Sequence, residues 1–215
     1  MVLGIYGYGG LGREVYVIAK KINKHETRWS EICFIDDADV KSFHGEKIYT
    51  FHEAINKFSN LEIAIGVGNP ATRAILFKKV VDAGISVATI IHPGVYIDET
   101  TQIGEGTIIC EGVTITCDVK IGKGSYVQPH AVIGHDITIG DFSMIGANAE
   151  IGGADVIGDR FYLGFNAGTK ESLTIGNDVI CSAGAVVFRD LPDEVIAVGN
   201  PARIMKKNED KKVFK

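Results

Sequence analysis

From Ile97 onward an aliphatic side chain returns at every sixth position, a spacing that suits neither a helix nor a plain alternating strand. Stepping by six gives Ile97, Ile103, Ile109, Ile115, Ile121, Val127, Ile133, Ile139, Ile145, Ile151, Ile157, Leu163, Thr169, Ile175, Cys181 and Val187. Fourteen of these sixteen are Ile, Val or Leu, where the overall composition gives about four. Six residues suit a short strand plus a corner, and three such units close a triangular coil of eighteen. Each aliphatic then stacks on the residue eighteen places away, one strand spacing of about 4.8 Å along the axis. Glycine follows the ladder residue in nine of the sixteen cases, supplying either a positive φ or a tight backbone approach. The expectation is a parallel β-helix of about five coils. The ladder falters at Thr169 and Cys181, around Phe165 to Ser172, which reads as a coil with an altered surface; a loop insertion would break it in the same way.

Composition narrows the class. The 215 residues give room for two domains, and 46% hydrophobic with 23% charged residues excludes a disordered chain or a disulfide miniprotein. A net charge of −5 carries no basic excess of the kind nucleic acid binding uses. No window reaches the length of a membrane span, and Met1 to Ile5 lack the basic start of a signal peptide, so a cytoplasmic protein is expected. Cys33, Cys110, Cys117 and Cys181 show no CxxC spacing and read as free thiols.

Residues 1–92 follow another rhythm, strands alternating with helices, which predicts a parallel α/β sheet. Strands are expected at Val2 to Tyr6, Ile32 to Ile35, Ile63 to Val67 and Val87 to Ile91, with helices at Leu11 to Ile22, His52 to Phe58 and Ala71 to Ala83. Between the first strand and helix lies Gly7-Tyr8-Gly9-Gly10-Leu11-Gly12, where glycines let backbone approach a diphosphate and the helix N-terminus stabilises its charge. Asp36 and Asp37 end the second strand, where a carboxylate meets a ribose hydroxyl. Gly68, Asn69 and Arg73 follow the third strand, Arg73 as a candidate phosphate partner or a solvated helix residue. The same glycines would equally serve a turn that only packs helix on strand. Because about 92 residues hold little more than one mononucleotide half, a sugar nucleotide is favoured over NAD.

On the prism, His135 and Asp136 directly follow Ile133-Gly134 at an outward corner. A neutral imidazole accepts a proton and a neighbouring carboxylate fixes its tautomer. Eighteen residues on, Gly153 places an amide without a Cβ one coil from His135, a candidate oxyanion donor. A simple surface pair would look the same. His92, His130 and His135 could instead be metal ligands, although His92 precedes the ladder.

With Tyr6 to Gly12, Phe34-Ile35-Asp36-Asp37, Gly66-Val67-Gly68-Asn69, Ile91-His92-Pro93, Ile133-Gly134-His135-Asp136 and Val198-Gly199-Asn200-Pro201-Ala202-Arg203, the chain resembles the sialic acid O-acetyltransferase and UDP-4-amino-sugar N-acetyltransferase family over essentially its whole length. The resemblance implies a Rossmann-like nucleotide-sugar domain (1–92) and a left-handed β-helix (93–205) that trimerises and binds acetyl-CoA between prisms; the remaining tail (206–215) is charged and, as a terminus, expected to fray. It makes His135 the general base, Asp136 its partner and the Gly153 amide the oxyanion donor, with no metal. Gly164, Asn166, Ala167, Gly168, Ser182, Ala183, Gly184, Gly199 and Pro201 would line the CoA groove. Amino-sugar relatives often carry a histidine nine residues after the base, where this chain has Met144, leaving N- against O-acetylation open. The expected function is acetyl transfer from acetyl-CoA to a sugar, UDP-linked, for bacterial surface glycan synthesis; the alternatives are O-acetylation of sialic acid or another glycan sugar and a non-catalytic nucleotide-sugar-binding scaffold.

Overall fold

A computed structural model describes residues 1–38, 42–43 and 46–213. The N-terminal part holds β1 (Val2–Tyr6), α1 (Gly10–Glu26), β2 (Glu31–Ile35), β3 (Ser42–Phe43), β4 (Glu46–Tyr49), α2 (Phe51–Lys57), β5 (Leu61–Ile65), α3 (Pro70–Asp82) and β6 (Ser86–Val87). They form one sheet in the order β3-β4-β2-β1-β5-β6, parallel except for the β3–β4 pair. The chain moves outward from β1 to β2, then returns to place β5 on the other side of β1. The loops after β1 and β5 therefore flank the point where strand order reverses, the usual ligand edge of an open α/β sheet. Local chemistry sets the helices. Thr50 and Glu53 form a capping box at α2, and the Asn69 side chain caps α3, which starts with Pro70. The β3–β4 hairpin stands outside the expected elements.

The expected strand over 87–91 is two. Ser86–Val87 closes the α/β sheet, while Ile90–Ile91 (β7) pairs with Ile108–Ile109 of the prism. The chain crosses between domains at Ala88 and Thr89, where the Ala88 N–H donates to Ile63 O on one side and the Thr89 hydroxyl accepts from the Gly106 N–H on the other.

From β7 the chain winds as a left-handed β-helix with three faces. One face holds Thr114–Ile115, Val132–Ile133, Glu150–Ile151, Gly168–Thr169 and Val186–Val187; a second holds Gln102–Ile103, Lys120–Ile121, Thr138–Ile139, Val156–Ile157 and Thr174–Ile175. The third face begins at β7 and ends with Val195–Val198 and antiparallel Arg203–Lys207. Register is in steps of eighteen, so Ile115, Ile133 and Ile151 stack as expected. The coil around Thr169 contains no insertion, since Gly168 pairs with both Glu150 and Val186.

The repeat's glycines serve close approach rather than a positive φ. A Cβ on Gly104 would stand 2.4 Å from Lys123 N in the next coil. The left-handed residue of each corner comes two positions later and is mostly not glycine: Asp118, His130, Asp136, Phe142, Asn148 and Ala154 all have φ between 54° and 61°. Each such residue costs of order 1 kcal/mol, which the stacked interior offsets.

The tail is not frayed as far as it is described. Beyond Arg203–Lys207, the buried Asn208 donates its side-chain amide to Asp178 O, and Lys211 pairs with Glu194 (2.8 Å) and Asp178 (3.4 Å). Residues 214–215 lie outside the described residues. Among the described residues no helix is long and apolar enough to cross a membrane.

Candidate active site at a corner of the prism

His135 and Asp136 occupy the corner between the strands Val132–Ile133 and Thr138–Ile139. Asp136 sits in the left-handed conformation (φ 58°), which short polar side chains tolerate. Its carboxylate lies 2.7 Å from His135 Nδ1, and both side chains are 63% exposed. With Nδ1–H held by the carboxylate, Nε2 carries the lone pair and is the proton-accepting atom. Nε2 faces the next coil: a Cβ built on Gly153 would stand 2.8 Å from it. A side chain at position 153 would therefore displace the imidazole from this position.

The Gly153 N–H has no hydrogen-bond partner among the described residues. At the corner that joins the second and third faces, the equivalent amides of Lys123, Asp141, Asp159 and Asn177 are each capped by a side-chain oxygen from the next coil. The His135 corner thus presents a positioned base beside an uncapped amide donor, which suits attack on a carbonyl whose oxygen becomes negative.

The residues expected around a coenzyme divide. Asn166, Gly168, Ser182, Ala183, Gly184, Gly199 and Pro201 reach the surface along the first face and the corner leading into it. Val186 ties the 199–202 segment to that face, donating to Gly199 O and accepting from Ala202 N–H. Gly164 and Ala167 do not line a groove: a Cβ on Gly164 would lie 2.4 Å from Ala183 N, and Ala167 is 2% exposed in the core. Packing between coils claims both.

At the α/β edge the glycines also divide. Gly7 has φ 102°, and a Cβ on Gly12 would meet Gly7 O at 1.8 Å, so these two pack helix against strand. A Cβ added to Gly9 would have nothing within 4 Å, and one on Gly10 only an arginine nitrogen at 3.9 Å; these two face open space. Asp36 holds the loop, accepting from Tyr8 N–H (3.3 Å) and Ala38 N–H (2.9 Å). Asp37 receives hydrogen bonds from Tyr6 OH, Lys79 Nζ (2.6 Å) and Phe51 N–H (2.9 Å). Burial alone would raise its pKa, but hydrogen bonds from Lys79 and Tyr6 outweigh it and hold the carboxyl below its usual range. Burial and the bond to Asp37 push the Tyr6 phenol up to about 12. Sequence reasoning misses Tyr6 and Lys79, since only the folded sheet edge brings residue 79 to residues 6 and 37.

Arg73 is neither a phosphate partner nor solvated. It is 0% exposed, and its five N–H groups reach five backbone carbonyls: Gly124, Val67, Gly68, Phe142 and Ser143, at 2.6–3.0 Å. Two of these acceptors lie in the β5 loop and three on the prism, so Arg73 bolts one domain to the other. Asn69 is committed to capping α3. Met144 is buried on the third face beside Tyr126, away from the His135 corner of its own chain. The three histidines do not converge: His92 contacts Lys21 at 3.2 Å, and His130 stands at a different corner from His135. No group of three His, Cys, Asp or Glu among the described residues could hold a metal ion.

Comparison with known proteins follows the same division. Residues 2–80 match the PglD N-terminal domain and residues 118–153 the bacterial transferase hexapeptide (six repeats). The structure is similar to PerB from Caulobacter crescentus, solved with CoA and GDP-perosamine, at 29% identity over 96% of this chain and 98% of that one, with a TM-score of 0.88. It is similar to the acetyltransferase domain of PglB from Neisseria gonorrhoeae FA1090, solved with acetyl coenzyme A, at 27% identity over 95% and 98% of the two chains (TM-score 0.87). WeeI from Acinetobacter baumannii AYE gives 26% identity over 95% and 100% (TM-score 0.79). In sequence, 39 residues are 41% identical to YJL218W of Saccharomyces cerevisiae; the match spans 18% of this chain and 20% of the yeast protein. The chain thus carries a PglD-type N-terminal domain followed by hexapeptide coils, and along nearly its whole length it is similar to acetyltransferases of the hexapeptide-repeat kind.

Proposed function

We propose that this protein transfers acetyl from acetyl-CoA to the amine of a nucleotide-linked sugar, with His135 as general base. The observation that carries the proposal is the imidazole whose Nδ1 is held by Asp136 and whose Nε2 lies against the Cα of Gly153, a residue with an uncapped amide. Nε2 takes a proton from the sugar amine as its nitrogen attacks the thioester carbon. The oxygen that gains charge is stabilised by Gly153 N–H. Collapse expels the CoA thiolate, which recovers the proton from the imidazolium. The choice of an amine is supported by a Caulobacter crescentus relative described as a perosamine N-acetyltransferase.

The nucleotide end is assigned to the open Gly9–Gly10 side of the α/β edge, near Asp36. We read the carrier as UDP, against the GDP of the perosamine enzyme. Acetyl-CoA is assigned to the first face, along Asn166, Gly168, 182–184 and the Gly199–Pro201 ending. We further propose a homotrimer: Arg73 fixes the α/β domain to a corner other than that of His135, so the acceptor's sugar is best delivered to the His135 of a neighbouring copy. The reaction is placed in the cytoplasm, in bacterial surface glycan synthesis.

The test is release of CoA thiol from acetyl-CoA with UDP- and GDP-linked amino sugars and with free sialic acid as acceptors. Release is expected with a UDP-linked amino sugar, and His135→Ala is expected to lower it about 10²–10⁴-fold. Undiminished release by His135→Ala would remove the base from this mechanism. Nucleotide-sugar binding without acetyl-CoA binding would instead identify a scaffold.

A further inference from the structure

Thr169, where the aliphatic ladder fails, lies at the one irregular rung of the first face. Neighbouring strands on the two five-stranded faces pair through two residues, but Glu150–Ile151 and Gly168–Thr169 pair only through Glu150 and Gly168. The missing pair, Ile151 with Thr169, changes one hydrogen bond. In other coils the glycine after the ladder residue donates to a backbone carbonyl, as Gly134 does to Ile151 O and Gly140 to Ile157 O. Gly152 donates to the Thr169 side-chain hydroxyl instead, at 3.0 Å. That hydroxyl in turn donates to Asp155 Oδ2 at 2.5 Å, and Asp155 Oδ1 accepts from Leu173 N–H at 2.8 Å. Asp155 is 0% exposed and stands between Ile137 and Leu173 in a column that also holds Thr101 and Val119. A carboxylate in that column is costly unless its bonds are satisfied, and here both oxygens are.

This chain of bonds ends on the Ile151–Gly152 peptide, directly before the Gly152–Gly153 peptide that carries the uncapped amide. Gly152-Gly153 lacks side chains that would restrict φ and ψ, so its direction must be fixed from outside. Three bonds do so through the peptide units on either side: Gly152 N–H to Thr169 fixes the one before, and Gly153 O from Ser172 N–H (2.9 Å) with Ala154 N–H to His135 O (2.8 Å) fixes the one after. The last two follow the pattern of other corners; the first is unique to this one. Because the Thr169 proton is committed to Asp155, its lone pair faces Gly152.

We propose that Thr169 and Asp155 are positioning residues, a hydroxyl–carboxylate pair that orients the Gly152–Gly153 peptide and so aims the amide at the reacting oxygen. The proposal rests on the reading of His135 and Gly153 as the reaction centre.

Thiol release and melting temperature measured on full-length Thr169→Val, Thr169→Ser, Asp155→Asn and His135→Ala test it. Thr169→Val keeps the volume and loses the hydroxyl, and its kcat is expected to fall about 10- to 10²-fold. The KM for either substrate should stay within about twofold, as for an interaction made only in the transition state. The pH profile should keep its shape, since His135 and Asp136 are untouched. Thr169→Ser should restore kcat to within about threefold of wild type. Asp155→Asn offers one acceptor oxygen to two donors and should fall with Thr169→Val; it decides by the same criterion if the valine variant does not fold. Wild-type kcat in folded Thr169→Val or Asp155→Asn, or a loss confined to KM, overturns the positioning role. If His135→Ala also turns over normally, the reaction centre itself is misassigned.

Discussion

Single residues at the corner are constrained from several sides. Gly153→Ala sets a methyl 2.8 Å from His135 Nε2, so it is expected to abolish thiol release while the circular dichroism spectrum stays that of the wild type. The glycine loop separates in the same way. Gly12→Ala puts a carbon 1.8 Å from Gly7 O and should cost about 1–3 kcal/mol in denaturant titration. Gly9→Ala meets nothing and should leave the melting temperature unchanged while raising the KM for the nucleotide sugar; an unchanged KM would remove Gly9 from the binding edge. His135 and Asp136 were readable in the sequence because they are adjacent, and Gly153 because the repeat converts a separation of eighteen into one coil. Arg73 was not, because its acceptors are backbone carbonyls up to seventy positions away, and any residue type supplies a carbonyl.

Among elements, the end of β1 and the start of α2 meet through Tyr6, Asp37, Lys79 and the Phe51 amide, with the Tyr6 and Phe51 rings stacked at 5.6 Å. Asp37 is held below its unfolded value of 3.8, so its stabilisation is complete above that value and is lost as pH falls through the lower, folded one. The melting-temperature difference between wild type and Asp37→Asn is therefore expected to be constant above about pH 5 and to shrink toward acid. A difference that persists at low pH would mean that the effect is not carried by the charge. The helices and longer strands were legible within one to four residues, because caps and hydrophobic runs are local signals. The split of 87–91 was not: Val87 to Ile91 is an unbroken, mostly apolar run, and only the partners, β5 for Val87 and Ile108–Ile109 for Ile90–Ile91, separate its two ends.

Across the whole molecule, Arg73 links the domains through three carbonyls of the prism and two of the β5 loop. Replacing it with Met strands five carbonyls and should cost about 3–5 kcal/mol, the usual range when one side of a buried charged interaction is removed. Urea unfolding of Arg73→Met is expected to separate into two transitions, tryptophan fluorescence reporting Trp29 of the α/β domain ahead of the prism; one coincident transition would show that the domains couple by other means. The far end of the prism has a consequence of its own. A finished coil exposes amides and carbonyls in register with a further parallel strand, an invitation to another molecule. Here the last strand, Arg203–Lys207, runs the opposite way to Val195–Val198, and all five of its residues are exposed, Arg203, Lys206 and Lys207 among them. An arriving coil meets reversed polarity and a row of positive charge, so the stack that eighteen-residue steps could extend without limit closes within a single chain instead of growing into a fibre.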